Sequence, residues 1–162
     1  MDTVDIRVGI ADYKTAYAPS KIVTIGLGSC VGITFYDPIN KIGGLLHIML
    51  PESRQFTDIT NPAKFADLGI PLLLEKMQAM GVNKRHVVTK IAGGASMFNF
   101  SDKSLIMDIG NRNVKSVKEI LTNLLINIKG EDTGGNQGRT MILNVDTGRT
   151  YIKTINFGIK EI

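Results

Sequence analysis

Apolar residues fall along the chain in alternating or short unbroken runs separated by turn sequences, a pattern typical of β-strands. Ile6, Val8 and Ile10 alternate with other residues and predict a first strand. Asp37-Pro38-Ile39-Asn40 and Asp146-Thr147-Gly148 are turn sequences, and each predicts a β-hairpin between its flanking strands. The predicted strands cover residues 5–13, 21–25, 30–36, 41–50, 87–92, 125–129, 139–145 and 150–155.

Two further stretches have the spacing of helices with one apolar face. The first begins at Asn61-Pro62, a capping residue followed by proline, and ends at Gly81. Pro71 lies inside it and predicts a kink or a break. The second is capped by Asn111 and turns its apolar residues inward, namely Val114, Val117, Leu121 and Leu124. We therefore expect an α/β fold, a mixed α/β sandwich with two main helices in a single domain over residues 1–162.

Composition restricts the class of protein. Of the 162 residues, 43% are apolar and 21% charged, which is typical of a globular domain that needs neither a metal nor a disulfide for stability. The single cysteine, Cys30, excludes an internal disulfide and favours a cytoplasmic location. The start of the chain, Met1 to Asp5, lacks the basic and apolar segments of a secretion signal.

Charge and hydrophobicity also indicate which partners to expect. The net charge is +4, from 19 Lys and Arg against 15 Asp and Glu, and a mildly basic surface suits an acidic protein partner. Lys84-Arg85-His86, the densest basic segment, has no interleaved aromatic residue, so no nucleic-acid partner is expected. Apolar runs such as Gly43 to Leu50 are much shorter than the ~20 residues that span a membrane, so no membrane insertion is expected.

Cys30 and His47 form the first candidate site. If Asp37 to Asn40 is the hairpin loop, Cys30 lies directly opposite His47, with Cβ atoms ~4.5–5.5 Å apart. An imidazole at that distance accepts the thiol proton or forms a thiolate–imidazolium pair. Each residue also has a structural explanation, because free cysteine is usually a buried small hydrophobe and His47 is flanked by apolar residues. The residues alone leave both alternatives open.

The glycine-rich segment Gly26-Leu27-Gly28-Ser29 precedes Cys30 and lacks the full pattern of a nucleotide-binding loop. Its backbone N–H groups are candidates for holding an oxyanion beside the thiol, or the glycines serve only the turn. One cysteine and two histidines without clustered carboxylates do not form a metal site. We expect no metal and no cofactor.

Five segments in order resemble the CheD family. They are Thr24-Ile25-Gly26-Leu27-Gly28-Ser29-Cys30, His47-Ile48-Met49-Leu50-Pro51, Ile91-Ala92-Gly93-Gly94-Ala95-Ser96-Met97-Phe98, Ile109-Gly110-Asn111-Arg112-Asn113 and Glu131-Asp132-Thr133-Gly134-Gly135-Asn136. Each segment alone is weak, and the five together are specific. Pro71 departs from the family pattern.

The resemblance implies a cytoplasmic deamidase that converts glutamines to glutamate on the cytoplasmic helices of chemoreceptors, and that also hydrolyses glutamyl methyl esters. It implies a Cys–His–Thr triad formed by Cys30, His47 and Thr24. It further implies a fold similar to the catalytic domain of cytotoxic necrotising factor toxins. A second partner is implied as well, a CheC-type phosphatase whose action on phosphorylated CheY the protein stimulates.

Other segments are expected to border the substrate. Gly28 and Ser29, beside the Cys30 N–H, are expected to hold the oxyanion, and the Gly93-Gly94 and Gly134-Gly135 loops to line the cleft. Turn geometry is the alternative for these loops. Met97 and Phe98 are expected either to contact a partner or to lie in the core.

Two rivals remain at this point: a non-catalytic regulator that acts only through CheC or receptor binding, and a cysteine amidase with another substrate. An activated Cys30 predicts reaction with iodoacetamide well below pH ~8.5, the ordinary thiol pKa. A pure binding protein predicts no such reactivity.

Overall fold

The computed structural model describes residues 3–96 and 108–162 of the chain. Short 3₁₀ turns cover Ser53–Gln55, Pro62–Lys64 and Lys84–His86. The strands and helices are, in order, β1 (Val4–Val8), β2 (Asp12–Tyr17), β3 (Ser20–Leu27), β4 (Val31–Asp37), β5 (Ile42–Ile48), α1 (Ala66–Ala79), β6 (Val88–Gly93), α2 (Ile109–Asn123), β7 (Ile128–Thr133), β8 (Arg139–Asn144), β9 (Thr150–Thr154) and β10 (Gly158–Glu161).

The strands form two five-stranded sheets. The outer sheet has the order β1-β3-β8-β9-β10, and the central sheet has the order β2-β5-β4-β6-β7. Pairs β1–β3 and β6–β7 are parallel and the other pairs are antiparallel, so both sheets are mixed. With α1 and α2 this arrangement confirms the predicted mixed α/β sandwich.

The central sheet is covered on both faces. Every residue of β4 and β5 is buried, because the helices pack on one face and the outer sheet packs on the other. One apolar cluster joins helices to central sheet and includes Leu46, Ile48 and Leu73, and a second lies between the sheets and includes Leu45 and Leu143. Burying each such side chain contributes about 1.5–3 kcal/mol. Since successive side chains of a strand point to opposite faces, His47, which lies between Leu46 and Ile48, faces the outer sheet.

The first predicted strand is in fact two strands. β1 and β2 belong to different sheets and are separated by a turn at residues 9–11, where Ala11 has a positive φ of 57°. The apolar alternation of Ile6, Val8 and Ile10 runs into this turn without a break, so the pattern did not reveal it. β10 was not predicted either, because all four of its residues are exposed and it has no buried face.

The register of the β4–β5 hairpin differs from the prediction. Asp37 pairs with Ile42, so the loop is residues 38–41 and closes at Lys41, whose φ is 51°. The buried Asp37 carboxylate accepts hydrogen bonds from the N–H groups of Ile39 and Asn40, at 2.9 and 3.3 Å. Asp37 is therefore the last residue of β4, and the loop lies one residue later than predicted.

The helices also begin and end at other residues than predicted. Asn61 caps only the 3₁₀ turn, through a bond from Ala63 N–H of 3.2 Å, and α1 begins after it. α1 continues past Pro71 without a break, since this exposed proline near the helix start removes a single backbone hydrogen bond. Asn111 lies inside α2. The following strand starts at Ile128, three residues later than predicted, because Leu125 is exposed and has φ 60°.

Candidate active site

His47 and Thr24 meet between the two sheets. Both side chains are fully buried, and Thr24 Oγ1 lies 2.7 Å from His47 Nδ1. The Thr24 hydroxyl also donates to the Val8 carbonyl at 2.8 Å. A carbonyl only accepts and a hydroxyl has one hydrogen, so Oγ1 accepts the bond from Nδ1–H. The network thus assigns the imidazole proton to Nδ1 and leaves Nε2 with a free lone pair.

The second ring nitrogen of His47, Nε2, is buried and has no hydrogen-bond partner within residues 3–96 and 108–162. Burial disfavours the charged ring and lowers the His47 pKa from 6.5 to about 4. The side chain is therefore a neutral base at physiological pH.

Cys30 directly precedes β4 and is half-buried at the edge of the cluster between the sheets. His47 pairs with Gly32, not with Cys30 as predicted. Because residues two apart share a face, Cys30 is a diagonal neighbour of His47, a relation that places Cα atoms ~7–8 Å apart. The pair faces the same side across Gly32, which has no side chain to separate them.

The thiol of Cys30 is not activated at rest. Burial raises its pKa above the ordinary value, and its own backbone N–H offsets this only in part. This direction is opposite to the low thiol pKa expected from the sequence. Since the His47 pKa is lowered, the resting pair is a neutral thiol and a neutral imidazole, and no thiolate–imidazolium pair is preformed.

Three successive carbonyls hold the segment that carries the thiol. Gly28 O accepts from Ala95 N–H at 2.8 Å, and Cys30 O accepts from Gly94 N–H at 2.8 Å. Ser29 O accepts from the side chain of Asn113 at 2.9 Å. These bonds fix the orientation of the peptide planes around Cys30.

The same segment presents unused donors. In the part of the chain that the structure describes, no backbone carbonyl accepts from the N–H groups of Ser29 and Cys30. The Cys30 N–H lies near its own sulfur, whose pKa is raised by burial and lowered in part by this N–H. The Gly28 N–H already donates to Gly26 O at 3.0 Å. The peptide planes that carry the Ser29 and Cys30 N–H groups are held in place, as a preorganised oxyanion hole requires, and the binding of an oxyanion there stays a prediction.

Gly93 and Gly94 have a structural reason to be glycine. Both are buried, with φ of 112° and 67°. A Cβ at Gly93 would overlap the Cys30 carbonyl oxygen, and one at Gly94 would overlap the Val114 side chain. Gly93 thus lets β6 approach the Cys30 segment closely, and Gly94 lets α2 approach the end of β6. A role in binding substrate stays a prediction for them.

The Gly134-Gly135 loop packs against the same region. Gly134 N–H donates to Gly93 O and Ser96 N–H donates to Gly135 O, each at 2.9 Å. The loop thus supports the end of β6, and its predicted contact with substrate remains to be tested. Met97 and Phe98 lie outside the described residues.

Two features of the site were not predicted from the sequence. β3 has a β-bulge between Thr24 and Leu27, with Gly26 at φ 82°, and pairs with β8 again at Leu27 before the chain reaches Cys30. Asn113 is the second. A lone asparagine in a helix has no pattern of its own, and the one available signal was its place in a segment resembling CheD.

The cavity nearest in kind to a binding site lies apart from these residues. A cavity of about 650 Å³ runs along α2 and is lined by residues such as Lys115, Lys118 and Thr133, but not by Cys30, His47 or Thr24. The candidate active site is therefore recognised from the hydrogen bonds of its residues, because none of the three lines this cavity. Within the described ranges, no three His, Cys, Asp or Glu side chains cluster as metal ligands. Over the same residues, no helix has the length and apolar character needed to cross a membrane.

Comparison with known proteins identifies the family. A family model described as "CheD chemotactic sensory transduction" matches residues 49–154. This range begins after Thr24, Cys30 and His47. A solved structure, the hypothetical protein YfiH of Bacillus licheniformis, shows a TM-score of 0.46 and 14% identity over 75% of this chain and 50% of that chain. That likeness is too low to support any conclusion.

Two relatives match over their full length. Proteins of Clostridium novyi (strain NT) and Clostridium botulinum (strain Hall) are 61% and 60% identical over 162 residues, covering 100% of both chains in each comparison. Both are named "Probable chemoreceptor glutamine deamidase CheD". With a family model that matches most of the chain and relatives this similar from end to end, the chain belongs to the CheD family.

Proposed function

We propose that the protein is a cytoplasmic protein-glutamine deamidase, a cysteine amidohydrolase that acts on chemoreceptors. The names of its full-length relatives support this activity. The observation that carries the proposal is the Thr24–His47 hydrogen bond, which places the imidazole proton on Nδ1 and leaves Nε2 as a base. Among the described residues Nε2 is also buried without a hydrogen-bond partner, as expected of a base that waits for the thiol proton.

In the proposed reaction, His47 Nε2 removes the Cys30 thiol proton as the sulfur attacks the carboxamide carbon of a receptor glutamine. The N–H groups of Cys30 and Ser29 stabilise the oxyanion. The imidazolium then protonates the amide nitrogen, the C–N bond breaks to release ammonia, and a glutamyl thioester remains. His47 next takes a proton from water, whose oxygen attacks the thioester, and the products are glutamate and the regenerated thiol.

Because both groups are neutral at rest, the thiolate forms only during attack. Thr24 keeps the ring in the correct tautomer and stabilises the imidazolium, the part that a carboxylate or amide has in other triads. The same acyl chemistry applies to a glutamyl methyl ester, with methanol as the leaving group in place of ammonia. No step requires a cofactor.

The substrates in this proposal are the cytoplasmic helices of chemoreceptors. We also propose that the protein binds a CheC-type phosphatase and stimulates its action on phosphorylated CheY, and for this role membership of the family is the support. A chain that acted only by binding CheC or receptors would not use Cys30 chemically. The two roles can therefore be separated with one variant.

The deciding experiment is mass spectrometry of receptor signalling-domain peptides after incubation with wild type and with Cys30→Ala. Wild type should convert glutamine to glutamate, and Cys30→Ala should be slower by at least about 10³-fold because the nucleophile is absent. Circular dichroism checks that the variant is folded. His47→Ala should be similarly impaired, and His86→Ala, which changes the exposed second histidine, should remain active.

A fully active Cys30→Ala protein would refute the thiol mechanism. If wild type converts no receptor peptide while it still stimulates the phosphatase, the binding role stands and the deamidase does not.

A further inference from the structure

The side chain of Asn113 joins two segments of the candidate site. It is fully buried on the inner face of α2, and its Nδ2 donates to Ser29 O and to Met49 O, both at 2.9 Å. Carbonyl oxygens only accept, so the atom between them must be the nitrogen and the amide orientation is determined. One planar group thus holds the Cys30 segment and the chain just after His47.

The bond to Ser29 has a consequence for the adjacent amide. The Ser29 carbonyl and the Cys30 N–H belong to the same planar trans peptide unit, in which C=O and N–H point in opposite directions. Fixing the carbonyl towards α2 therefore fixes the Cys30 N–H away from it. A hydrogen bond to the carbonyl also polarises the peptide unit and makes its N–H a better donor.

Asn113 is suited to this task by its chemistry. The flanking carbonyls of Gly28 and Cys30 are held by backbone N–H groups, whereas that of Ser29 is held by a side chain. An asparagine amide offers two donors in one plane, and here both are used. The second bond, to Met49, sets the Ser29–Cys30 peptide relative to the strand that carries His47.

We propose that Asn113 is a positioning residue for the oxyanion hole. It holds the Ser29–Cys30 peptide so that the Cys30 N–H faces the developing oxyanion of the substrate, and it keeps this donor in register with the His47 base. The inference rests on the proposed deamidase function and adds a residue that does not itself touch the substrate.

The test compares Asn113→Ala and Asn113→Ser with Ser116→Ala. Ser116 lies one turn further along α2, is also buried, and donates to another backbone carbonyl after β5, that of Pro51, at 2.8 Å. Its removal therefore reproduces the loss of a buried helix-to-carbonyl bond without touching the Cys30 segment. Asn113→Ser retains one donor and serves if Asn113→Ala does not fold.

Three experiments are made on each variant. Steady-state kinetics gives kcat and KM for a receptor glutamine peptide, iodoacetamide at fixed pH gives the rate of Cys30 alkylation, and a ¹⁵N–¹H NMR spectrum gives the position of the Cys30 amide resonance. Alkylation at a saturated carbon forms no oxyanion. It reports on the thiol and the fold but not on the oxyanion hole.

The Asn113 variants should lose about 10- to 100-fold in kcat with little change in KM. This loss is no larger than the loss of kcat when an oxyanion donor is itself removed. Their alkylation rate should fall much less than kcat, because alkylation forms no oxyanion and depends on the Cys30 N–H only through its effect on the thiol pKa. The Cys30 amide resonance should shift in the Asn113 variants and stay in place in Ser116→Ala, whose kcat should be unchanged.

Unchanged kcat in Asn113→Ala, or kcat and alkylation falling in parallel, would overturn the positioning role. If wild type itself proves inactive, the proposed function fails separately, and the Cys30 resonance then decides whether Asn113 orients this amide. A resonance that does not move would reject the inference in that case too.

Discussion

At the scale of single residues, the imidazole of His47 combines one strong hydrogen bond with one unpaired nitrogen. Nδ1–H donates to Thr24, while Nε2 is buried and has no hydrogen-bond partner in the described ranges. Burial then gives His47 a lowered pKa and Cys30 a raised one. Both shifts favour neutral groups, so general-base attack fits these two residues better than a permanent ion pair.

The lowered pKa of His47 predicts a pH dependence of stability. The folded protein binds this proton only near pH 4, whereas the unfolded chain binds it near 6.5. Stability should therefore be full above the unfolded pKa and fall as the pH drops towards the folded pKa, by at most about 3 kcal/mol from this group. Urea unfolding at a series of pH values measures it.

His47→Gln should show a smaller loss of stability between pH 6.5 and 4 than wild type, since glutamine does not titrate. His86→Gln, which changes an exposed histidine, serves as the control and should behave as wild type. Equal pH profiles for wild type and His47→Gln would show that burial does not lower the pKa of this imidazole.

At the scale of elements, the segment between β3 and β4 depends on its neighbours for its shape. The N–H of Gly94, which follows β6, donates to the segment, and so does the side chain of Asn113 in α2. The β-bulge of β3 sets the direction in which the chain enters the segment. None of these contacts lies within the segment itself. Its conformation is consequently a property of three packed elements.

Gly93→Ala should disturb this segment. A Cβ at this position overlaps the Cys30 carbonyl oxygen, and the φ of 112° is unfavourable for alanine. We expect a loss of stability above the roughly 1–2 kcal/mol of a left-handed conformation alone, together with reduced deamidation. Chemical denaturation and the receptor-peptide assay measure the two effects.

Gly134→Ala is the matched control for this substitution. Gly134 also has a positive φ, 83°, but a Cβ there meets no atom within 4 Å. It should therefore cost only the backbone strain and leave the Cys30 segment in place. Equal losses of stability in the two variants would contradict a specific contact between Gly93 and the nucleophile segment.

At the scale of the whole molecule, the candidate site lies at the contact between the two sheets. Thr24 belongs to β3 in the outer sheet and His47 to β5 in the central sheet. The hydrogen bond that sets the imidazole tautomer thus depends on how the sheets pack, and the cluster that includes Leu45, Met141 and Leu143 maintains that packing.

Thr24→Val keeps the shape of the residue and removes the hydroxyl. The Nδ1–H of His47 would lose its acceptor, which costs about 1–3 kcal/mol for a buried polar group. Deamidation should fall by about 10²-fold, because the ring no longer favours the tautomer with a free Nε2. Thr24→Ser retains the hydroxyl and should stay close to wild type. NMR of the imidazole nitrogens reports the tautomer directly.

A Thr24→Val protein with wild-type activity and an unchanged Nδ1–H signal would show that the bond across the sheets does not control His47.

The sequence by itself determined the class of fold and the elements that bear the site. Hydrophobic periodicity revealed the buried strands and both helices, because a face that packs against a core leaves a regular pattern. It also indicated that Cys30 and His47 share a face of one hairpin, because side chains alternate between the two faces along each strand. Moving the loop by one residue changes the paired residue and leaves the shared face unchanged. The predicted likeness to cytotoxic necrotising factor toxins stays a prediction.

Only the tertiary structure decided the rest. The hairpin register followed from how the buried Asp37 carboxylate caps the loop and from the positive φ of Lys41, and a shift of one residue in the loop moved the partner of His47 from Cys30 to Gly32. The pKa directions came from burial, and the part played by Asn113 from contacts across more than 60 residues of chain. Such contacts join segments distant in sequence, and local patterns carry no information about which distant segments will meet.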